Sequence, residues 1–437
     1  MELSYEPLRG FRDYIPPDSE NMTWLCNTFA EVAKRFGYRE VKTPTIESFQ
    51  LFALKSGEEI RESMFVFKDK AGREVALRPE ITPSIVRVYL KELRPWPKPT
   101  RIYYIGSVFR YDEPQFGRYR EFTQAGVEIV GGGEIYYDVE LIEVLEEFYD
   151  EIGLKDRAYK VNNIAVFREL AKRAGIDGLD LDRLLHYLDK GMYERAAEIF
   201  EHRNAREEAE VLRELASIGG ESDKVEAAKN ILSRLTNAEA ILRHVETIEK
   251  YVEMVKAIGG NVVVEPSFAR GIAYYTGIIF EVLVSHLSIS IAGGGRYDEL
   301  VQLYGGESTP ATGFAIGVER TLIALTAAGL QLQRYRAPRT LLLVLSDELC
   351  AYSAAYDVAK NLRRRGIVVQ LEISSAARLS RWLEYASKYG FDYVVIIGRR
   401  ELEKKVATLR DMRRWVQEEV LLEEIPNVIS LRATQNG

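Results

Sequence analysis

Between Ile105 and Glu128 the chain reads IGSVFRYDEPQFGRYREFTQAGVE, and chemistry-bearing residues recur at every second position of its returning half. Side chains alternate across a strand, so Arg120, Phe122, Gln124, Gly126 and Glu128 would project from one face. That face carries a cation, an aromatic ring, an amide and a carboxylate, a set suited to a ligand with an anion, a planar ring and a polar head. The opposite row, Glu121, Thr123, Ala125 and Val127, is small and weakly apolar, so neither row reads as an ordinary water-facing face. A solvated amphipathic hairpin has the same composition; the alternation is what speaks for a polar floor. Val108 and Phe109 favour a strand before it, and the Pro and Gly between Asp112 and Gly117 mark a turn, which predicts an antiparallel hairpin.

The elements around it follow from periodicity and breakers. A helix is expected from about Ser19 to Phe36, with Asp18 or Ser19 as its cap and Trp24, Phe29, Val32 and Phe36 as its stripe. YREVKTPTIE then reads as a strand broken at Pro44, since proline cannot donate to a central ladder. Met64–Phe67 and Glu74–Leu77 predict a second hairpin that delivers LRPEITPSIVR. Pro79 disfavours helix at Arg78, so Glu80 and Thr82 fall at a strand-to-helix junction. Thr82 as a plain helix cap beside a solvated Glu80 is the alternative there. Residues 135–152 predict an acidic helix. From 161 to 235 the texture turns to Ala, Glu, Arg and Leu with breaks at Gly175, Gly191 and Gly219, as in a helical insertion into a β-rich pattern that resumes at Asn261.

Bulk properties narrow the class. A chain of 437 residues suggests two to four domains. A net charge of −7 argues against a surface that binds nucleic acid everywhere. Cys26 and Cys350 belong to no paired or metal-ligand spacing, which fits a reducing cytoplasm and indicates neither a disulfide framework nor a zinc site. No apolar run of about 18 residues occurs and the N-terminus lacks a signal-peptide pattern, so a soluble protein without membrane association is expected. Beyond the linker-like QLQRYRAP the chain alternates apolar runs with helices, predicting a parallel α/β sheet. From Pro338 to Gly437 there are 16 Lys+Arg against 13 Asp+Glu, or +3, which leaves −10 of the −7 total for the rest. Arg363, Arg364, Arg365, Arg399, Arg400, Lys404 and Lys405 offer phosphate-binding charge in this tail, although solvated helix ends explain each run about equally well.

Five segments resemble one family. FRYDEPQFGRYREF with TQAGVE is similar to the second signature of class II aminoacyl-tRNA synthetases, in the form found in the histidyl-tRNA synthetase family. The helix, strand and Pro44 resemble the first signature, ARGIAYYTGIIFEV and AGGGRYDEL the two histidine-specific motifs, and GFAIGVERTLIAL the third signature. Their order and spacing extend the resemblance over nearly the full length. It implies an α+β catalytic domain with an antiparallel sheet over 1–160 and 236–330, a helical insertion over 161–235 that contacts the tRNA acceptor arm, and a C-terminal α/β anticodon-binding domain over 338–437.

The resemblance also implies roles. Histidine would be activated by ATP to histidyl-adenylate and transferred to tRNA(His). Arg110 and Arg270 would serve the α-phosphate and the attacking carboxylate as the catalytic pair. Glu80, Thr82 and Gln124 would hold the ammonium end of histidine, and Glu128 and Tyr275, with Tyr274 and Arg270, the rest of it. Phe122 and Arg320 would sandwich adenine, Arg118 would meet the outer phosphates, and Asp112 is a shortened counterpart of the family's usual Glu. Mg2+ is expected with the ATP phosphates, through side chains left open, and a homodimer is expected from the first signature. His186, His202, His244 and His286 lie outside every signature, so no histidine is expected to act as a base. Ala273 replaces a usual Asp, and Glu113 and Phe116 stand where basic residues are common, at a loop expected to read bases at the end of the acceptor stem. A regulatory paralogue from ATP phosphoribosyltransferase and another class II synthetase are the two alternatives. Arg110, Arg270, Arg320 and the basic tail speak against the first, and the RGIAYYTG and GGGRYD pair against the second.

Overall fold

A computed structural model describes residues 5–53, 63–219, 223–271, 274–330, 337–346, 348–373 and 379–435. The chain divides into two compact units, Met1–Leu332 and Gln333–Gly437. Most of the expected linker and Ala273 fall outside the described residues.

The first unit is built on an eight-stranded sheet. In order across it lie Arg39–Glu40, Thr100–Phe109, Glu121–Val130, Ala311–Gly317, Ala292–Arg296, Ile278–Leu283, Ala158–Asn163 and Val262–Val264. The six central strands run antiparallel, and the two short edge strands pair parallel with their neighbours. The expected hairpin forms the second and third strands of this order, with Val108 opposite Phe122 and Gly106 opposite Gln124. Its alternation sorts the faces: Ala125, Val127 and Ile129 are wholly buried against the helices Asp18–Arg35, Tyr136–Glu151 and Val318–Ala327. Burying one Val or Ile side chain contributes about 1.5–3 kcal/mol, and a one-residue slip would lose these while driving Glu128 into the apolar layer. The register is therefore strongly specified.

Pro44 marks where the chain changes sheets. Before it Arg39–Glu40 joins the large sheet; after it Ile46–Ser48 pairs with Glu74–Leu77 in a separate three-stranded sheet. The buried Arg78 cross-links the two, donating from Nη1 to the Thr43 carbonyl at 2.9 Å and from Nε to the Ser107 carbonyl at 2.8 Å. It thereby fixes the chain two residues ahead of Glu80.

Several expectations change. The first helix begins at Asp18 without a side-chain cap, because the Asp18 carboxylate instead accepts from Arg12 Nη2 at 3.1 Å. Sheet pairing persists through Asn163, so the first residues assigned to the helical insertion, Val161 to Asn163, are strand. The insertion helices, from Ala165–Arg173 to Lys224–Leu232, share one apolar core with the Tyr104 face of the sheet. GGGR of the second histidine motif is a central strand, Ala292–Arg296, although three successive glycines are poor strand formers.

The second unit holds a five-stranded sheet in the order Val368–Ile373, Arg339–Leu345, Tyr393–Gly398, Val406–Asp411 and Val416–Leu421. Its first three strands are parallel, but the last two are antiparallel, which corrects the expected all-parallel sheet. A parallel return needs a crossover of a dozen or more residues, and only Met412 to Trp415 separate the last two strands. Part of the tail's charge is paired at the surface: Arg399 lies near Glu348 and Glu403, and Arg400 and Lys404 near Glu419, while Arg363 donates to the Val369 carbonyl. Among the described residues no helix is long and apolar enough to cross a membrane.

One buried ion pair locks the first unit. Arg296, the last residue of the GGG strand, bonds Asp138 Oδ2 at 2.7 Å and the Gly132 carbonyl at 3.1 Å, with both ionic side chains nearly inaccessible. Removing Asp138 leaves Arg296 only the more exposed Asp298, at 3.2 Å, so Asp138→Ala is expected to lower the urea unfolding free energy by about 3 kcal/mol, the low end for breaking a buried pair. A loss below about 1 kcal/mol would show that the pair is not what holds this corner.

Candidate active site

A cavity of about 360 Å³ opens on the polar face of the large sheet. Its floor is the even-numbered row Phe122, Gln124 and Glu128, continued by Gly313 on the neighbouring strand and Gly293 on the next. These glycines are required by close approach. A Cβ on Gly313 would lie 1.7 Å from Glu128 Oε2, and one on Gly293 would lie 1.9 Å from Arg270 Nη1. Bare backbone lets charged side chains rest on the sheet.

One end of the cavity is built around Glu128, which is 1% exposed. Its Oε1 accepts from Thr82 Oγ1 at 2.6 Å and from the Tyr104 hydroxyl at 3.1 Å, and its Oε2 accepts from the Tyr297 hydroxyl. Burial pushes its pKa up to about 8, while the three hydroxyls oppose that rise. Nearby, Tyr274 donates to Glu80 Oε2 at 2.7 Å. Crowding by protein raises Glu80 above the ordinary carboxylate range, although its residue still borders open space, and Arg110, Tyr274 and Arg270 pull it back. Burial lifts the Tyr275 phenol to about 12, so it stays a neutral donor. Gln124 Oε1, buried and without a protein partner, adds an acceptor. This end suits a small ligand rich in N–H groups and carrying positive charge.

The other end gathers four arginines, Arg110, Arg118, Arg270 and Arg320. Arg270 Nη1 donates to Glu281 Oε1 at 3.2 Å and to the Phe280 carbonyl at 3.3 Å, leaving its Nε unpartnered. Arg110 Nε donates to the Pro79 carbonyl at 3.0 Å, and its guanidinium lies 5.5 Å over the Phe122 ring. Arg320 is tied to the Gly117 and Ser290 carbonyls, each at 2.9 Å. Burial first, then repulsion from Arg118 and Arg110, lowers its pKa to about 10. Cations that repel one another around one cavity form a receptor for a polyanion.

All twelve residues to which the resemblance assigns a histidine- or ATP-binding role border this cavity. Thr82 and, outside that set, Arg120 sit differently from expectation. Thr82 donates its hydroxyl to Glu128, so it supports that carboxylate, and it is not a helix cap, since the helix Thr82–Val88 has Ile81 in that position. Arg120 leaves the polar row: its guanidinium lies 4.0 Å over the Tyr111 ring and its Nε donates to the Asp112 carbonyl. None of the four histidines borders the cavity. In the loop, Phe116 is 70% exposed, while Glu113 is engaged by Arg9 from the N-terminal segment. Sequence reasoning missed Tyr104, and it missed Tyr297, Glu281 and Glu319 although they lie inside GGGRYD, ARGIAYYTGIIFEV and GFAIGVERTLIAL; for Asp189 and Lys190 no local pattern existed. Glu319 accepts from the Thr123 amide with both oxygens, at 2.8 and 2.9 Å, clamping the third signature to the hairpin.

The raised Glu128 has a thermodynamic consequence. Between its ordinary value of 4.5 and about 8 the folded protein holds a proton that the unfolded chain has released, so stability falls as pH rises through that window. Glu128→Gln cannot titrate. Its melting temperature relative to the parent is expected to rise steadily from about pH 5 to about pH 8. A difference that stays constant with pH contradicts the assignment.

Comparisons agree with this geometry. A family model for histidyl-tRNA synthetase matches residues 10–321, and one for an anticodon-binding domain matches residues 341–432. A histidine–tRNA ligase from Sulfolobus acidocaldarius is 44% identical over 427 residues, covering 97% of this chain and 98% of the relative. The crystal structure of histidyl-tRNA synthetase from Nostoc superposes with a TM-score of 0.78 at 22% identity, covering 99% of this chain and all of that one. A Bacillus halodurans structure described as an ATP phosphoribosyltransferase regulatory subunit/histidyl-tRNA synthetase gives 0.74 at 23% identity, covering 91% of this chain and 99% of that one. These two likenesses speak for the fold alone, whereas the family model and the Sulfolobus relative identify the lineage: the chain belongs to the histidyl-tRNA synthetase family.

Proposed function

We propose that the protein is a histidine–tRNA ligase, forming histidyl-adenylate from histidine and ATP and passing the histidyl group to tRNA(His). The observation that carries this reading is a single cavity with a buried carboxylate among hydroxyls at one end and four arginines at the other. Glu128 and Tyr275 would address the imidazole ring, with Thr82 holding Glu128 in place. Glu80, Gln124 and Tyr274 would receive the ammonium group. A site built to hydrogen-bond its ligand rejects apolar isosteres by roughly 10⁴ or more, so no editing domain is needed.

At the arginine end, the histidine carboxylate attacks the α-phosphorus of ATP. A bond forms from the carboxylate oxygen to phosphorus, the bridging oxygen to the β-phosphorus leaves, and pyrophosphate departs. Negative charge sits on both reactants, and positioning plus cations dominates such transfers. Arg110 and Arg270 would meet the α-phosphate and the carboxylate, and each contact that strengthens in the transition state supplies on the order of 3 kcal/mol. Arg118 would engage the outer phosphates, and Phe122 and Arg320 the adenine with Asp112 beside it. In transfer, a terminal ribose hydroxyl of tRNA attacks the acyl carbon and AMP leaves. With no histidine beside the cavity, a phosphate oxygen of the adenylate is the natural proton acceptor.

Among the described residues no group of three or more His, Cys, Asp or Glu could hold a metal ion. Mg2+ is expected with the ATP phosphates, where it keeps several waters, and the side chains that would complete its shell stay open. The segment around Pro44 supports a twofold homodimer, and the lack of paired cysteines a cytoplasmic setting.

ATP–pyrophosphate exchange measured with each of the twenty amino acids is expected to proceed with histidine only. Histidine binding without any exchange would favour a regulatory paralogue, and exchange with proline or threonine a sister synthetase.

A further inference from the structure

The helical insertion reaches the Arg270 segment at three points. Arg168, on the helix Ala165–Arg173, donates from Nε to the Tyr275 carbonyl at 2.8 Å. Tyr193, which opens the helix Tyr193–His202, donates to Ser267 Oγ at 3.2 Å. Asp189, the last residue of the helix Gly178–Asp189, borders the cavity itself. Leu184, Leu185 and Leu188 anchor that helix in the same apolar core as Phe268, Ala269, Tyr274 and Tyr275, so the carboxylate is held on a rigid element.

The contact with Asp189 is close. A Cβ on Gly271 would lie 2.9 Å from Asp189 Oδ2 and 3.1 Å from its Cγ, so any larger residue after Arg270 would push the carboxylate aside. Asp189 Oδ2 also accepts from Lys190 Nζ at 2.9 Å, with Lys190 the more exposed of the two. Arg270 rests against Glu281 on the sheet side, and its Nε has no partner. Burial works against the Arg270 charge, and Tyr275, Glu281, Asp189 and Tyr274 together outweigh it. Of these, only Asp189 comes from the insertion.

We infer that Asp189 is a positioning residue for Arg270, through which the helical insertion forms one wall of the activation site. Glu281 holds the guanidinium from below and Asp189 supplies the opposing negative charge from the insertion side, so Arg270 is kept along the line where charge develops. This inference rests on the reading of Arg270 as the cation that serves the reacting groups. The insertion is then part of the first half-reaction, before any tRNA is present.

Asp189→Asn keeps the shape and removes the charge. Adenylate formation measured in single turnovers, with enzyme in excess so that slow variants still yield a rate, is expected to slow about tenfold, while the apparent affinities for histidine and ATP stay within about twofold of the parent. Gly271→Ala, which would displace the carboxylate, is expected to slow the same step. In an Arg270→Ala background, Asp189→Asn is expected to change the rate by less than about twofold, because a residue acting through Arg270 has nothing left to act on. A parental rate for Asp189→Asn, or an equal fall in both backgrounds, overturns the inference. An Arg270→Ala protein as fast as the parent removes the reading on which it rests, whereas a slow Arg270→Ala beside a silent Asp189→Asn removes the inference alone.

Discussion

A carboxylate buried among hydroxyls is the constraint on which the rest of the site depends. Leaving Glu128 inside protein without a fixed cation is unfavourable, and Thr82, Tyr104 and Tyr297 offset only part of that cost. Each partner comes from a different element: Thr82 from the start of a helix, Tyr104 from the opposing strand, Tyr297 from the residue after the GGG strand. Slipping the strand Glu121–Val130 by one residue would break all three bonds and exchange the faces. The fold therefore specifies the site, and the site specifies the register.

The arginine end follows the same logic with opposite sign. Arg110, Arg118, Arg270 and Arg320 repel one another, and backbone carbonyls of Pro79, Phe280, Gly117 and Ser290 hold three of them apart. Such preorganisation stores repulsion that a polyanion relieves, so binding and the later build-up of charge draw on one arrangement. The distance between the two ends is bridged by Glu80, which sits within reach of both Tyr274 and the fields of Arg110 and Arg270.

Much of this was legible from residue order. The period-two row from Phe122 to Glu128 gave the cavity face because one side had to meet the apolar layer of Phe29, Phe148 and Phe314. Pro44 announced a change of sheet. Arg120 was misread because strand pairing begins one residue later, at Glu121, and Tyr111 offered its guanidinium a ring. GGGR resisted reading as a strand because glycine is a poor strand former on its own, and only the side chains resting on it explain its use. Asp189 was invisible, since its meaning lies in the contact with Gly271 across the fold, and Glu281, although inside the first histidine motif, gave no local sign of its pairing with Arg270. The last antiparallel hairpin of the second unit was missed because its outer strand, Val416–Leu421, is mostly exposed and lacks an apolar run.

The central claim is that the buried carboxylate recognises the ring of histidine independently of the arginine end. Calorimetric titration of Glu128→Gln with histidine and, separately, with ATP tests it most directly. Histidine affinity is expected to fall by at least about tenfold, the worth of one charged hydrogen bond, while ATP affinity stays within about twofold of the parent. Unchanged histidine affinity, or an equal loss for both ligands, would contradict the account.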